Sequence, residues 1–547
     1  MYRIYQLKMQ LDSDLNDLRK KAASFLGIKT EDIKDLKIFR KSIDARDKND
    51  VFYVYAVDVE TDAKPKNRFK PNEAGIVKPF SYKLPECGDL TLKTRPVIVG
   101  LGPAGLFGAY ILAKAGYKPI VLERGKSVDE RQADVDEFLK TNALNPDSNV
   151  LFGEGGAGTF SDGKLNTLIK DKDGKGRFVL STFIKHGAQE DILYDAKPHI
   201  GTDRLKLVVK SMREEIVALG GEIRFLSRLS TFKTENDGNS TRITEVMVEK
   251  LDNDGNVVET YTIPTEICIL ATGHSARDVF EDLHKKKVNM EPKPFAIGVR
   301  AIHPQKTINI SQYGRFADKL PAAPYKLTNQ CSTGRSVYSF CMCPGGFVIN
   351  SSSENGGVVV NGMSYSKRDG EYANSAIICN VTPEDFANEG FGDDALSGVK
   401  FQRKYEAAAY ALANGKVPVE SLGSFSGRLL KDCESSAYSD LDKKVMGECV
   451  KADLKKCLPD YVSESLVEAF SAFERKIKGF NADDTLLCGI ESRTSSPVKI
   501  LRDKEFNSSV VGLMPCGEGP GYAGGIMSAA LDGIKVAEQV IRTYKKP

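Results

Sequence analysis

The stretch PVIVGLGPAG, residues 96–105, contains the strongest structural signal in the sequence. Its apolar residues 97–99 predict a buried β-strand. The glycines that follow, Gly100, Gly102 and Gly105, allow a tight turn and a helix that packs close to a sheet. The amino end of that helix would direct free N–H groups and a positive dipole at phosphate groups. The stretch therefore predicts the start of a dinucleotide-binding βαβ unit.

A second predicted strand, residues 119–122, ends in an acidic residue. A carboxylate at this place can accept hydrogen bonds from both hydroxyls of a ribose, so Glu123 is expected to bind the adenosine half of a dinucleotide. Strand, glycines, helix, second strand and acid follow in the order that the unit requires. The residues expected to contact the dinucleotide here are Gly100, Gly102, Pro103, Ala104, Gly105, Glu123 and Arg124.

Two segments farther along the chain favour FAD over NAD. Segment GEGGAGTFSDGK, residues 153–164, places hydrogen-bonding side chains among small residues, which suits a backbone lying against a large planar ligand. A flexible linker is the alternative, although linkers tolerate a featureless run. Segment ICILATG, residues 267–273, is an apolar strand that would end beside the dinucleotide. The expected contacts are Gly155, Gly158, Thr159, Ser161, Asp162, Gly163, Lys164, Ala271, Thr272 and Gly273.

A third segment, residues 511–530, combines a strand, an acid between glycines, a glycine pair and the start of a helix. The carboxylate of Glu518 could bind the ribityl hydroxyls of FAD. The following helix end could face the N1/O2 edge of the flavin and stabilise the negative charge that develops there on reduction. The expected contacts are Gly517, Glu518, Gly525 and Ile526.

Through these segments the chain resembles the large FAD-dependent oxidoreductase superfamily of glutathione-reductase-type topology, from about residue 95 onward. Shorter stretches are similar to a bacterial group of uncharacterised FAD-dependent, or NAD(FAD)-utilising, dehydrogenases: GHSARD (273–278), KPFAIGVR (293–300), FCMCPGG (340–346), NGMS (361–364) and ESRTSSP (491–497). This resemblance implies FAD and redox chemistry, and it implies no particular substrate. Glu518 departs from the superfamily, which more often has Asp, but the longer carboxylate can make the same hydrogen bonds.

The expected fold is α/β, with a doubly wound, Rossmann-like FAD domain. Residues 1–90 would form a small α+β module, and residues 91–277 the first part of the FAD domain. Residues 278–485 would form an inserted mixed α/β substrate domain, and residues 486–547 the return to the FAD domain. The module is interpreted as an accessory packing domain, with contact to a partner or a cap over the FAD domain as alternatives.

Local patterns predict three elements in more detail. Acidic residues near 12–14 and a glycine at 27 bound a helix over residues 15–26. Residues 203–225 show a helical period followed by a glycine stop and a strand, which would be the third parallel strand of the FAD sheet. Strands over residues 243–251 and 257–263, joined through an Asp-Gly turn, predict a β-hairpin.

Composition excludes several classes of function. The chain has 547 residues, with 77 basic against 74 acidic residues and a net charge of +3, which does not indicate a nucleic-acid-binding protein. No apolar run is long enough to cross a bilayer, so no membrane contact and a cytoplasmic location are expected. Eleven cysteines and five histidines show no metal-ligand spacing and are interpreted as reduced thiols and ordinary histidines.

Four residues are candidates for catalysis. Arg300 and Arg493 could hold a substrate carboxylate or phosphate, with a structural ion pair, such as one with Glu491, as an equally good interpretation. His274 and Cys343 could transfer a proton, although a hydrogen-bonded histidine and a buried thiol are the simpler interpretations. Cys341 and Cys343 lie two residues apart on a predicted strand and would share one face.

The sequence thus predicts an FAD-dependent oxidoreductase that transfers hydride between noncovalent FAD and a small organic substrate. Residues 278–485 contain no second G-x-G-x-x-G to indicate a separate nicotinamide-binding domain, so NAD(P)H, if it is the donor, would bind transiently elsewhere. No C-x₄-C pair follows the first βαβ unit, which disfavours a disulfide-reductase mechanism. Two alternatives stay open: a flavoprotein that acts on RNA, and a non-catalytic flavin-binding sensor or interaction protein. The sequence indicates no oligomeric state.

Overall fold

The N-terminal module is an antiparallel sheet with one helix in the computed structural model, which describes residues 1–78, 81–171, 173–236, 238, 240–429 and 436–547. Its elements are β1 (Tyr2–Met9), α1 (Leu15–Leu26), β2 (Asp35–Asp44), β3 (Phe52–Glu60) and β4 (Ala74–Ile76). The strand order is β2-β3-β1-β4. The carboxylate of Asp14 accepts the backbone N–H of Asp17 at 2.8 Å, and α1 ends at Gly27 with a φ of 69°. The helix predicted over residues 15–26 is confirmed.

The next part of the chain contains the glycine motif. Its elements are β5 (Val97–Val99), α2 (Pro103–Lys114), β6 (Ile120–Leu122), α3 (Val128–Thr141), α4 (Lys175–Lys185), α5 (Thr202–Ala218), β7 (Glu222–Arg224), β8 (Ser227–Asn236), β9 (Thr241–Leu251), β10 (Val257–Pro264), β11 (Cys268–Leu270) and α6 (Arg277–Lys285).

The remaining strands and helices run from residue 290 to residue 543. They are β12 (Met290–Pro292), β13 (Phe295–Pro304), α7 (Gln305–Tyr313), β14 (Thr328–Gln330), β15 (Ser336–Cys343), β16 (Phe347–Asn350), β17 (Val360–Met363), β18 (Tyr372–Val381), α8 (Pro383–Asn388), α9 (Ser397–Ala413), β19 (Val417–Ser421), α10 (Leu422–Phe425), α11 (Leu441–Lys444), β20 (Val445–Met446), β21 (Cys449–Lys451), α12 (Asp460–Glu474), β22 (Leu486–Glu491), β23 (Val498–Ile500), β24 (Leu513–Pro515) and α13 (Ile526–Thr543). Short 3₁₀ helices span Thr30–Asp32, Gly156–Phe160, Glu190–Leu193, Gly314–Lys319, Ser436–Tyr438 and Leu454–Cys457.

A parallel sheet of order β24-β11-β5-β6-β7 forms the core of the FAD-type domain. Four of its strands, β24, β11, β5 and β6, are apolar and buried because both faces of the sheet are covered there, whereas the edge strand β7 carries Glu222 and Arg224. Ile98 packs in the cluster that contains α2, α5 and α13, whereas its neighbours Val97 and Val99 face the sheet β8–β10. Strand β7 pairs parallel with β6, and β9 pairs antiparallel with β10, so the third parallel strand and the hairpin are both confirmed.

The inserted domain is built on a seven-stranded sheet of order β14-β15-β18-β13-β22-β19-β21. Alternate residues of β13 point to opposite faces: Ile297 and Val299 pack in the core that includes α12, which leaves Arg300 on the other face. Strand β22 pairs antiparallel with β13 and β19, so the return to the FAD-type domain starts after residue 491, later than the boundary expected at residue 485. The ribbon β12–β23 joins the two domains.

The N-terminal module is docked on both of the other domains. The backbone N–H of Lys41 donates to the carbonyl of Tyr194 at 2.7 Å, and the N–H of Ala196 donates back to the carbonyl of Lys41 at 2.8 Å. Val51 is buried in the core of the inserted domain. Within the described part of the chain, no helix is both long and apolar enough to span a bilayer, and no group of three or more His, Cys, Asp or Glu side chains could hold a metal ion.

Candidate active site

One cavity lies at the carboxyl ends of four parallel strands, where it meets the inserted domain. Gly100 follows β5, Glu123 follows β6, Ala271 follows β11 and Glu518 lies just beyond β24. All four residues line the cavity. Because the carboxyl ends of parallel strands share one edge of a sheet, segments far apart in the sequence meet there.

Most of the residues expected to contact a dinucleotide line this cavity. They are Gly100, Gly102, Pro103, Ala104, Glu123, Arg124, Gly158, Ser161, Asp162, Gly163, Lys164, Ala271, Thr272, Gly273, Glu518, Gly525 and Ile526. Gly105, Gly155, Thr159 and Gly517 are not among the lining residues. Gly105 instead supports the close packing of α2, since a Cβ there would lie 1.9 Å from the carbonyl oxygen of Gly100. The hydroxyl of Thr159 donates to the carbonyl of Glu154 at 3.2 Å.

Two helix amino ends open onto the cavity without a capping side chain. Gly102 is the N-cap of α2 and Gly525 is the N-cap of α13, and neither cap has a side-chain hydrogen bond to the first turn. The first N–H groups of a helix have no partners within the helix. These two ends are therefore suited to bind a negatively charged group.

The Glu123 carboxylate is held rigidly at the cavity edge. Its Oε2 accepts the N–H of Leu101 at 2.8 Å, and its Oε1 accepts the N–H groups of Gly125 and Gly153, each at 3.0 Å. A carboxylate has about four acceptor positions, so it can still accept a ligand hydroxyl. The neighbouring Arg124 is fixed by Asp278 at 2.8 Å.

Residues 272–275 present polar atoms that no described residue satisfies. Thr272 Oγ1, His274 Nδ1 and Ser275 Oγ are buried without a hydrogen-bond partner, and all three residues line the cavity. An unsatisfied buried polar atom costs about 1–3 kcal/mol. This row of atoms fits a polar ligand that would restore the hydrogen bonds. Burial, reinforced by Arg493 and Arg277, lowers the pKa of His274 to about 3, so its imidazole is neutral at neutral pH.

Glu518 adds an acidic group to the same cavity. Burial raises its pKa to about 7, and Lys293 opposes that shift. Its carboxylate receives no hydrogen bond from the described residues. The uncapped helix ends, the orphaned atoms at 272–275 and this carboxylate together fit a ligand such as FAD, which carries phosphates, hydroxyls and ring nitrogens.

The structure corrects the expectation that Arg300 holds substrate. Arg300 is fully buried and is not among the residues that line the cavity. Its guanidinium makes two bonds to Glu491, at 2.9 and 3.0 Å, and donates to Asn374 at 2.7 Å. It also donates to Asn361 Oδ1 and to the Cys341 carbonyl, each at 3.2 Å. Arg300 is the ion-pair partner of Glu491, and its hydrogen bonds hold residues of the cavity wall in place from outside the cavity.

Arg493 lies in the cavity wall but is already paired. Its guanidinium donates to both carboxylate oxygens of Glu406, at 3.1 and 2.8 Å, and to the hydroxyl of Ser353. Arg277 binds the same Glu406 carboxylate at 2.7 Å. The side chain of Arg493 is 4% exposed, so its charge is compensated before any ligand arrives.

The two cysteines of residues 341–343 do not share a face, contrary to the expectation from strand alternation. A β-bulge lies between Phe340 and Cys343, and Cys341 has a φ of 45°, which turns it out of the strand. Cys341 is exposed and lines the cavity, whereas Cys343 is buried and does not. Burial raises the pKa of the Cys343 thiol to about 11, which makes it unsuited to transfer a proton.

The inserted domain contributes cavity residues that the sequence did not single out as a site. They are Phe340, Asn361 and Glu491. Their segments were noticed only as short motifs, because nothing local in the sequence brings β15, β17 and β22 to the carboxyl edge of a distant parallel sheet. Asn361 had the clearest signal, since it precedes a glycine on a strand.

Comparison with known proteins agrees with this arrangement. A family model described as FAD-dependent protein, C-terminal domain-like, matches residues 294–494, and a domain of unknown function matches residues 1–60. An uncharacterized protein of Clostridium beijerinckii is 46% identical over 553 residues, which cover 100% of this chain and 99% of that protein.

Solved flavoproteins are similar at lower identity. The glycerol-3-phosphate dehydrogenase of Bacillus halodurans, complexed with FAD, is 12% identical with a TM-score of 0.36; the match covers 83% of this chain and only 66% of that enzyme. A flavoprotein/dehydrogenase of Cytophaga hutchinsonii is 10% identical with a TM-score of 0.35, over 83% of this chain and 80% of that one. The full-length relative shows that the chain belongs to one family with the Clostridium beijerinckii protein, and residues 294–494 match the model of an FAD-dependent protein family.

Proposed function

We propose that this protein binds FAD noncovalently in the cavity and exchanges hydride between FAD and a small organic substrate. One observation carries the proposal: two uncapped helix ends, two carboxylates and three orphaned polar atoms meet in a single cavity between two domains. Sites of this kind are typical at the carboxyl edge of an open parallel sheet.

Particular residues would hold each part of FAD. Glu123 would accept one ribose hydroxyl at its remaining acceptor position, and the amino end of α2 at Gly102 would bind the pyrophosphate. Glu518 would accept ribityl hydroxyls, and the amino end of α13 at Gly525 would lie beside the flavin ring. When bound, FAD would supply the hydride chemistry, so that the protein's share is binding, orientation and electrostatics.

The inserted domain would orient the substrate and shield it from water. Phe340 and Asn361 line the cavity on this side, and Arg300 holds Asn361 by a hydrogen bond from outside the cavity. Of the two candidate proton carriers only His274 lines the cavity. As a neutral imidazole with an orphaned Nδ1, it can form a hydrogen bond with a bound ligand, while its low pKa makes it a weak base.

Spectral titration of the purified protein tests this proposal. The protein is desalted, reconstituted with FAD, and titrated with NADH and with NADPH under anaerobic conditions, while the visible flavin band is followed. Loss of the band on addition of either nucleotide supports NAD(P)H as a transient donor. A band that both nucleotides leave unchanged excludes that donor. Failure to bind FAD at all overturns the proposal, and a flavin that no donor or acceptor turns over supports the non-catalytic alternative.

A further inference from the structure

The part of the cavity wall beside the inserted domain is rich in hydrogen-bond donors. Three lining residues form this donor wall: Lys164, Cys341 and Asn361. Lys164 is the last residue of the glycine-containing segment 153–164, whereas Cys341 lies at the β15 bulge and Asn361 in β17. The Lys164 Nζ lies 3.9 Å from Cys343 Sγ, so the lysine reaches across to the strand that carries Cys341.

Lys164 carries a positive charge that its surroundings do not fully neutralise. Its Nζ lies 3.0 Å from Asp162 Oδ2, and the same carboxylate also accepts two bonds from Arg368. Two cations thus share one anion. Burial favours the neutral amine, but Asp162 together with Cys343 and Cys341 outweighs burial and raises the pKa of Lys164, so the ammonium form persists.

Among these three charged groups, Lys164 is the most accessible from the cavity. Its side chain is 27% exposed, against 2% for Asp162 and 11% for Arg368. The other charges near the wall are balanced: Arg300 pairs with Glu491, and three arginines pair with three glutamates in the group Arg277, Arg403, Arg493, Glu281, Glu354 and Glu406. The excess positive charge of this wall is therefore that of Lys164.

The side-chain amide nitrogen of Asn361 is also available to a ligand in the cavity, because the oxygen of the same amide is bound by the protein. Its Oδ1 accepts from Arg300 at 3.2 Å and from the N–H of Gly362 at 2.7 Å, so the oxygen faces the protein. The Nδ2 donates to no described residue. Gly362 makes this arrangement possible, because a Cβ there would lie 2.1 Å from the Arg300 guanidinium.

We propose that the substrate is an organic carboxylate, bound by the Lys164 ammonium and the Asn361 amide beside the flavin. This proposal rests on the proposed function. One ammonium, whose counter-ion Asp162 is shared with Arg368, and one amide match the two oxygens of a carboxylate. A phosphate group offers more acceptor oxygens than these donors can satisfy, and both nearby arginines, Arg300 and Arg493, are already paired.

Matched acid and amide probes test the proposal. FAD-loaded protein is titrated with benzoate and succinate, with their uncharged amides and with inorganic phosphate, and binding is read from the shift of the visible flavin band. We expect at least one acid to bind about tenfold or more tightly than its amide. Equal binding of acids and amides, no carboxylate binding, or tighter binding of phosphate than of either acid would overturn the proposal.

Three variants assign the effect to the donor wall. Lys164→Met should remove the preference for the acid over the amide, Lys164→Arg should retain it, and Asn361→Asp should weaken acid binding by repulsion. Lys34→Met, which removes an exposed lysine paired with Asp62 in the N-terminal module, should leave the preference unchanged. A wild-type preference that survives in Lys164→Met contradicts the assignment.

Failure of the proposal can be distinguished from failure of the proposed function. FAD affinity is measured for every variant, and Lys164→Met is expected to bind FAD within about threefold of wild type. If that variant instead loses FAD, Lys164 is a cofactor ligand and the assignment to substrate falls. If wild-type protein binds no FAD, the proposed function fails, while carboxylate binding to the ligand-free chain is still measurable by calorimetry.

Discussion

The packing of the ligand-free protein does not require a glycine at position 102. A Cβ placed there would meet only the Cα of Gly156, at an ordinary 3.9 Å, and the φ of −72° is open to any residue. The space beside Gly102 is therefore useful to a ligand rather than to packing.

We predict that Gly102→Ala lowers FAD affinity at least tenfold, or about 1.4 kcal/mol, because the added methyl group blocks approach of the pyrophosphate to α2. Thermal stability of the FAD-free protein should change little. Gly75→Ala in β4 is the control, since a Cβ there has no atom within 4 Å. Fluorescence titration with FAD measures both variants, and an unchanged affinity in Gly102→Ala would place the pyrophosphate elsewhere.

Glu518 should make the stability of the FAD-free protein depend on pH. Its pKa rises from an ordinary 4.5 to about 7 on folding. Between these values the folded state retains a proton that the unfolded state has released, so the free energy of unfolding falls as the pH rises. Above about pH 7 the carboxylate is ionised in both states, and the full cost of burying its charge lowers the free energy of unfolding.

Glu518→Gln cannot ionise, so we expect it to be more stable than wild type by about 1–3 kcal/mol near pH 8, with the difference shrinking toward pH 5. Urea unfolding at both pH values measures this difference. The exposed Glu505→Gln is the control and should show no such trend. A constant difference between Glu518→Gln and wild type at both pH values would refute the raised pKa.

At the scale of elements, the bulge in β15 decides which thiol meets the cavity. We predict that iodoacetamide labels Cys341 and that added FAD slows this labelling, because Cys341 lines the cavity. Cys87 is exposed outside the cavity and should be labelled at the same rate with or without FAD, while buried Cys343 should stay unlabelled. Peptide mass spectrometry provides the rates. If FAD slowed the labelling of Cys87 as much as that of Cys341, FAD would be acting on the reagent or on the whole protein, and the protection of Cys341 would not be specific to the cavity.

The bulge also shows where prediction from the sequence ends. Short-range signals sufficed for α1, whose acidic start and glycine stop are adjacent to it, and for the hairpin β9–β10. The glycine motif sufficed for β5 and α2. The turning out of Cys341 depends on its register against β18, and the pairing of β22 depends on β13, nearly two hundred residues away. The register between strands so far apart in the chain cannot be predicted from the alternation of apolar and polar residues within either strand.

The surroundings of Arg300 and Arg493 could not be predicted from the sequence for a related reason: Arg300 does not line the cavity, and Arg493 lines it with its guanidinium already paired. The sequence shows that each arginine lies near a domain boundary, but it does not show which carboxylate each one meets. In the structure Glu491 and Glu406 occupy both guanidinium groups. The residues still able to bind a ligand are those that share their counter-ion with another residue or have no hydrogen-bond partner in the described part of the protein.

At the scale of the whole molecule, buried charges join the two large domains. Glu406 in α9 is 1% exposed and binds Arg277 of α6 at 2.7 Å and Arg493 at 2.8 Å. Removing one partner of a buried ion pair leaves the other uncompensated, which costs about 3–5 kcal/mol.

We predict that Glu406→Ala destabilises the protein by about that amount. Glu281→Ala breaks the pair with Arg403 at the rim of the same network, where the side chains are 37% and 41% exposed, and should cost less than about 1 kcal/mol. Differential scanning calorimetry on both variants measures the contrast. Similar losses in the two variants would mean that burial does not determine the strength of this network.

The position of β24 and α13 bears on how the protein is made. These elements, at residues 513–543, supply one strand of the parallel sheet and the cavity residues Gly525 and Ile526, while β5 and α2 leave the ribosome some four hundred residues earlier. The sheet edge at β11 must therefore stay unpaired while about 240 further residues are translated, from the end of β11 to the start of β24. Capture of the cofactor is then a late step of biosynthesis, and a chaperone that shields an open strand edge would act on this nascent chain before FAD does.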